Sequence, residues 1–413
     1  VTAKRTFDPE FLQDVINQYA AHSNNLQDLA NHFEVARTTI RGWLQRAQRE
    51  GYTPQAEAAH PRDRENLALT EQVKALKTEL RTVSRDNLSA EIVRQTILGL
   101  SEQIASPPDW VLNTVKRKHS QLVPSVMWSD WHWGEVVNPA EVGHINSFDL
   151  ATAHTRAKVL TEKVISLCFD HMVDPDYPGI VVNLGGDMVS GDIHAELTST
   201  NELPIMPIII DIVGVLIESL THLADRFGRV FVPCVAGNHG RNTFKPRMKQ
   251  RAHTNFDWLI YSFLEVHFQG DKRFTFMVPE GTDCYYRVYN HKYLLTHGDT
   301  LGVRGGDGII GSLGPILRGD FKTRRQSGEL GQPYDTLIIG HWHQYMALVP
   351  KLIVNGSLKG FDEFAKTGLR ASPEGPTQAL WFTSPDHGIV SSWPIFLNEA
   401  QKVPQESWVT IPE

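Results

Sequence analysis

From about residue 120 onward, short apolar runs alternate with amphipathic stretches, the pattern of an α/β layered fold. LVPSVMW, GIVVNLG, VFVPCV, YLLT and DTLII are strand-sized, and helical spacing is clear after the cap Asp149, through Leu150, Ala153, Ala157, Leu160, Val164 and Leu167. The most apolar stretch, Pro204 to Leu220, is broken by Asp211, Gly214 and Glu218. It falls short of the ~20 apolar residues that span a bilayer and predicts a buried helix.

The first 120 residues read differently. Leu12, Val15, Ile16 and Tyr19 share one helical face, and the run LQDLANHFEVARTTIRGWLQRA resembles a helix-turn-helix. In that motif Ala30, Val35, Ile40 and Trp43 would hold two helices crossed, leaving Arg37, Thr38 and Arg41 for a DNA groove. Glu34 stands where the tight turn commonly carries glycine, at some conformational cost. A helical bundle used for protein contacts is the alternative. Residues 51 to 62 read as a linker. Beyond them Leu69, Val73, Leu76, Leu80 and Val83 keep the four-three spacing of a coiled-coil seam, lost at Asn87. That segment is either a coiled coil that makes a homo-oligomer or an amphipathic helix lying along the next domain. The expected divisions are residues 1–55, a helix-turn-helix unit; 62–105, the long helix; 120–398, the catalytic domain; and 399–413, a tail.

Composition changes this picture little. The chain has 413 residues, 41% hydrophobic and 21% charged, which excludes wholesale disorder and a membrane-embedded protein. A net charge of -7 argues against a molecule coated with nucleic-acid-binding charge, so local basic segments must carry any such role. Cys168, Cys234 and Cys284 suit free core thiols in a reducing compartment. Val1 to Phe7 shows no apolar signal core, and the expected location is the cytoplasm.

Candidate chemistry lies where the apolar runs stop. The first ends in Asp130 and His132, the next in Asp187, then Asn238 and His239, then His297, then His341 and His343. Open α/β sheets gather ligands at the carboxyl ends of their strands, so these residues should converge on one crevice. Carboxylates, imidazoles and an amide oxygen suit divalent metals, and the lack of nearby cysteine argues against a structural zinc cage. Gly185, Gly186, Gly237 and Gly340 allow sharp turns beside them.

The ordered set D-x-H, G-D, G-N-H, a lone His and G-H-x-H, from about Leu122 to Phe361 and including the NGS at Asn355 to Ser357, resembles the calcineurin-like metallophosphoesterases. The resemblance implies a layered β-sandwich flanked by helices and two divalent ions, manganese expected and iron or zinc as alternatives. It implies one ion on Asp130, His132, Asp187 and His343, the other on Asp187, Asn238, His297 and His341, with a bridging hydroxide attacking phosphorus. His239 would protonate the leaving oxygen. The family often writes an acid after G-N-H, where this chain has Gly240, and Ser190 stands where a later acid of the second motif would be; Asp192 is the nearby candidate partner for His239. His144 and His194 read as surface histidines.

Arg241, Lys245, Arg247, Lys249 and Arg251 form one acid-free basic segment, and Arg318, Lys322, Arg324 and Arg325 another; Arg304 is a further phosphate candidate. With the amino-terminal unit, these make a DNA nuclease similar to the double-strand-break-repair exonucleases the leading expectation. A phosphatase or small-molecule or cyclic-nucleotide phosphodiesterase, and a DNA-binding regulator with an inactive phosphoesterase domain, are the alternatives.

Overall fold

The structure, a computed structural model, describes residues 8–21, 25–54, 106–113, 121–173, 175–303 and 311–398. The chain divides into two compact units, residues 1–88 and 89–413. The long helix expected over 62–105, Arg304 and the tail 399–413 lie outside the described residues.

The first unit holds helices α1 (Pro9–Ala21), α2 (Leu26–His32) and α3 (Arg37–Arg49). Asn25 caps α2, its side chain accepting from the Gln27 N–H at 2.9 Å. Leu12, Val15, Ile16, Leu29, Ala30, Ile40, Trp43, Leu44 and Ala47 form the core, with Phe11 and Phe33 edge-on to Trp43. Between α2 and α3 the chain turns at Glu34, φ 51°, and the Val35 N–H donates to the Ala30 carbonyl at 3.0 Å. A non-glycine residue therefore takes the left-handed conformation at this turn, at a cost of about 1–2 kcal/mol. Arg37, Thr38 and Arg41 are exposed.

The second unit is built on two sheets. A six-stranded sheet runs in the order β11-β10-β1-β2-β3-β4, from β1 (Val123–Trp128), β2 (Ile180–Leu184), β3 (Val230–Pro233), β4 (Phe274–Met277), β10 (Thr377–Ser384) and β11 (Gly388–Phe396). Strands β1 to β4 are parallel, β10 pairs antiparallel with β1, and β11 pairs antiparallel with β10 at the edge. The other, five-stranded sheet runs β5-β6-β7-β9-β8, from β5 (Asp283–Val288), β6 (His291–Thr296), β7 (Thr336–Ile339), β8 (Met346–Leu348) and β9 (Leu352–Val354). Its β6, β7 and β9 are parallel.

Side-chain alternation along the strands explains the layering. Met127, Val181 and Phe231 of the first sheet join Cys284, Tyr286, Tyr293, Leu295, Ile338 and Ile353 of the second in one apolar layer between the sheets. Their neighbours Val126, Trp128, Val182, Leu184 and Val232 face the other way, onto helices Leu150–Phe169, Ile205–Phe227 and Phe256–His267. The outer face of the second sheet, through Leu294, Leu337, Ile339 and Val354, meets Ile316 of the helix Leu313–Glu329. The result is a β-sandwich with helices outside both sheets.

The helix after Asp149 forms as its spacing predicts: the Asp149 carboxylate accepts from the Thr152 N–H at 2.7 Å, and Ala153, Ala157, Leu160 and Val164 are buried. The helix Ile205–Phe227 departs from expectation. It buries Ile208, Ile212, Leu216, Leu220 and Leu223 but leaves Met206 56% and Ile210 74% exposed, so only one face is core. By length and apolarity it is the one helix among the described residues that could cross a membrane. All three cysteines are buried, and none is in a disulfide.

Candidate metal centre

Because β1, β2 and β3 are parallel, as are β6 and β7, the residues after them meet at one edge of the sandwich. Asp130 and His132 follow β1, Asp187 follows β2, Asn238 and His239 follow β3, His297 follows β6, and His341 and His343 follow β7. Asp130, His132, Asp187, His341 and His343 have φ of 56°, 48°, 51°, 67° and 53°. Left-handed backbone at a non-glycine residue costs on the order of 1–3 kcal/mol and persists only where its surroundings fix it. Each turn is fixed by its neighbour: the Asp130 N–H donates to the Gly186 carbonyl at 3.0 Å and the His132 N–H to the Asp187 carbonyl at 3.1 Å. The His341 N–H donates to Asp130 Oδ1 at 2.9 Å and the His239 N–H to Asp187 Oδ1 at 2.6 Å. Gly237 is required here, since a Cβ on it would lie 2.1 Å from Asp187 Oδ1.

Three groups of donor atoms result, each within 4.8 Å: Asp130, His132 and His343; His132, Asp187 and His239; Asp187, His297 and His341. Each of these groups could hold a metal ion. The fit can be tested on atoms that the protein leaves unsatisfied, because buried polar atoms without partners are rare. Asn238 Oδ1 is buried with no hydrogen-bond partner. His297 donates from Nδ1 to the Gly185 carbonyl at 2.8 Å, which turns Nε2 toward Asp187 Oδ2 at 2.9 Å without hydrogen-bond alignment. His132 Nε2 and His343 Nε2 stand 3.1 Å apart, and His343 Nε2 is 3.3 Å from Asp130 Oδ1. Lone pairs converging with too few protons between them are what a divalent cation would satisfy, so the donor set fits the metals the family resemblance implies.

Asn355 of the NGS, and further residues that the motifs did not point to, hold this set in place. Asn355 donates to Ser129 Oγ at 2.9 Å, and Ser129 Oγ donates to Asp130 Oδ2 at 2.5 Å. Gln378 brackets Ser129, accepting from its N–H at 3.1 Å and donating to its carbonyl at 3.1 Å. Asp257, fully buried, accepts from the Asp187 and Gly237 N–H groups, each at 2.9 Å, and from Met188 N–H at 3.1 Å. It thus ties the second and third ligand turns together. Glu135 faces His132 Nδ1 at 3.3 Å and is itself paired at 2.7 Å with the buried Lys359, which also binds Asp362.

The partner of His239 is a backbone group. Its Nδ1 donates to the Ser190 carbonyl at 2.9 Å, whereas Asp192 is exposed. Gly240 also has a cause: a Cβ there would lie 2.4 Å from Asn255 Oδ1 and 3.0 Å from Asp257. The space that an acidic side chain would need is filled by the support of Asp187.

Burial opposes charge on Asp187, but His297 and His239 beside it hold its carboxyl well below the usual range. Burial likewise opposes protonation of His297, yet Asp187 raises it to about 10, so this carboxylate favours positive charge at Nε2, a proton or a metal ion in its place. Burial pulls His132 and His341 down to about 4 each, leaving neutral imidazoles with lone pairs to donate. Asp257 is pushed up to about 7, first by burial and then by the Asp187 charge.

The centre opens into a cavity of about 910 Å³ that includes Glu141, Glu196, Trp342 and Phe364 in its walls. His194 lines it, its ring 6.3 Å from that of His239, while His144 lies on the surface. Arg241 donates to the Thr243 and Asn238 carbonyls, and Arg251 pairs with Asp299. Lys245 and Arg247 are exposed. The second basic segment lies on the helix Leu313–Glu329, where Arg324 binds Asp320 and the Tyr334, Asp335 and Lys351 carbonyls, a structural engagement.

No family profile and no curated protein matches this chain. Among solved structures it is similar to a Staphylococcus aureus protein provisionally described as a 5'-nucleotidase, in complex with alpha-ketoglutarate, at 10% identity over 69% of this chain and 56% of that one, TM-score 0.28. It is also similar to the sulfate thiohydrolase SoxB of Thermus thermophilus, in complex with glycerol, at 10% identity over 68% of this chain and 57% of that one, TM-score 0.26. The chain thus spans a little over half the length of each, and likeness at this level leaves function to be argued from the site.

Proposed function

We propose that the chain is a two-metal phosphoesterase of the calcineurin-like type that hydrolyses phosphodiester bonds, with DNA as its substrate. The observation that carries this reading is the convergence of Asp130, His132, Asp187, Asn238, His297, His341 and His343 with unsatisfied donor atoms. Asp130, His132 and His343 would hold one cation, Asn238, His297 and His341 the other, and Asp187 both. When bound, two such ions polarise phosphoryl oxygens and acidify water, manganese being the expected metal. His239 would serve the leaving oxygen through Nε2, because its Nδ1 is committed to Ser190. Glu135, Lys359 and Asp257 hold ligands without touching the reacting atoms.

DNA is favoured by the exposed Lys245 and Arg247 beside the centre and by the exposed Arg37, Thr38 and Arg41 on α3. These supply phosphate contacts in two separate units. A small-molecule phosphodiesterase is the second reading, favoured by the cavity of about 910 Å³ into which the centre opens. A manganese-loaded preparation assayed on an aryl phosphodiester, a phosphomonoester, a cyclic nucleotide and DNA oligonucleotides separates them. The proposal requires diester turnover with DNA ahead in kcat/KM; a cyclic nucleotide ahead of DNA would select the second reading.

A further inference from the structure

We infer that residues 241–251 form a finger for unpaired nucleic acid, in which Phe244 stacks on an exposed base while Lys245, Arg247 and Lys249 hold the adjoining phosphates. The inference deepens the phosphodiesterase reading and depends on it only for the chemistry that follows binding. Two large apolar side chains stand in water here, Phe244 at 82% exposure and Met248 at 87%, interleaved with exposed cations and no acid. Among the described residues Lys245, Arg247 and Lys249 make no ion pair, so their charge is available.

The base of the finger is fixed by hydrogen bonds and an ion pair. Arg241 donates to the Asn238 carbonyl at 2.8 Å and the Asn242 N–H to the Thr254 carbonyl at 2.8 Å, and Arg251 is paired with Asp299. Arg241 therefore fastens the start of the finger to the turn that carries Asn238 and His239, and Arg251 fastens its end to Asp299, two residues after His297. Negative charge in the cavity disfavours a phosphate chain there. The cavity walls carry Glu141, Glu196, Glu363 and Glu374, and the one lining cation among the described residues, Lys359, is consumed by Glu135 and Asp362. A polyanion approaching the centre is then better received by the cations of the finger than by the cavity. Base faces are accessible to an aromatic ring only where the strand is unpaired, which selects single strands and frayed ends over regular duplex.

The test uses the full chain loaded with manganese, a fluorescein-labelled oligothymidylate with phosphorothioate linkages, and the matching duplex, read by anisotropy across a salt series. Single strand should bind more tightly than duplex. Phe244→Ala should weaken single-strand binding on the order of tenfold, and Phe244→Trp should restore it. The triple change Lys245→Ala, Arg247→Ala, Lys249→Ala should flatten the slope of log K against log salt by about 2. Single-strand affinity within twofold of wild type in Phe244→Ala overturns the stacking role and leaves the exposed Phe244 and Met248 to a protein partner. An unchanged salt slope overturns the phosphate role. Aryl diester turnover by a chain with no single-strand affinity would sink the finger and leave the phosphoesterase; the expected binding losses in a chain that hydrolyses no diester would do the reverse.

Discussion

Replacing Lys359 with methionine tests the support of the centre without touching a ligand. Lys359, Glu135 and Asp362 are 3%, 7% and 4% exposed, and the ammonium is the cation between two buried carboxylates. Removing one member of a buried ion pair leaves uncompensated charge and costs about 3–5 kcal/mol. At roughly 2 °C per kcal/mol for a unit of this size, Tm should fall by about 6–10 °C near pH 7. The pH dependence has a definite sign. Lys359 opposes the effect of burial on Glu135 and holds it below the usual carboxylate range, as it does Asp362, so their stabilisation is present above an unfolded pKa of ~4 and lost as pH falls through the folded values. The Lys359 ammonium, held above its ordinary range against its own burial, contributes below an unfolded pKa of ~10.4 and loses that contribution as pH rises through its folded value. In Lys359→Met the carboxylates have no cation and take up protons more readily. The Tm gap between wild type and variant should therefore be widest between about pH 6 and 10 and narrow toward pH 4. Thermal unfolding followed by tryptophan fluorescence across that range is the assay. A gap under 2 °C at pH 7, or one that widens on acidification, would refute the reasoning. Because Glu135 faces His132, metal affinity should also fall about 10–100-fold.

Two further substitutions separate chemistry from architecture. His239→Ala should retain metal content, measured by atomic emission, while kcat on an aryl diester falls about 10²–10⁴-fold; equal loss of metal would contradict the assigned role. Gly240→Ala forces a Cβ to within 2.4 Å of Asn255 Oδ1, so it should cost about 1–3 kcal/mol in chemical denaturation and weaken metal binding, whereas a neutral effect would mean Asn255 and Asp257 do not fix the third ligand turn.

The strand ends were legible because an apolar run that stops at a carboxylate or imidazole is a local signal, and parallel topology then brings distant stops to one edge. The helix capped by Asp149 was legible for the same reason. What escaped is long-range or belongs to the backbone. Glu135 and Lys359 are 224 residues apart, and each alone reads as a surface charge. Asp257 reads as an ordinary first-turn acid of the helix Phe256–His267, and only the fold directs it at three buried N–H groups. His239 called for an acid and found the Ser190 carbonyl, a group every residue carries and no sequence pattern marks. The exposed face of Ile205–Phe227 was misjudged because apolar content alone does not say which side meets the core.

Metal stoichiometry tests the central claim most directly. Titration of the metal-stripped chain with manganese, followed by calorimetry, should show two equivalents bound in wild type. Asp187→Asn should weaken both sites together and abolish diester hydrolysis, because one carboxylate would serve both ions. A single equivalent in wild type, or an Asp187→Asn chain that binds two as tightly, would contradict the account.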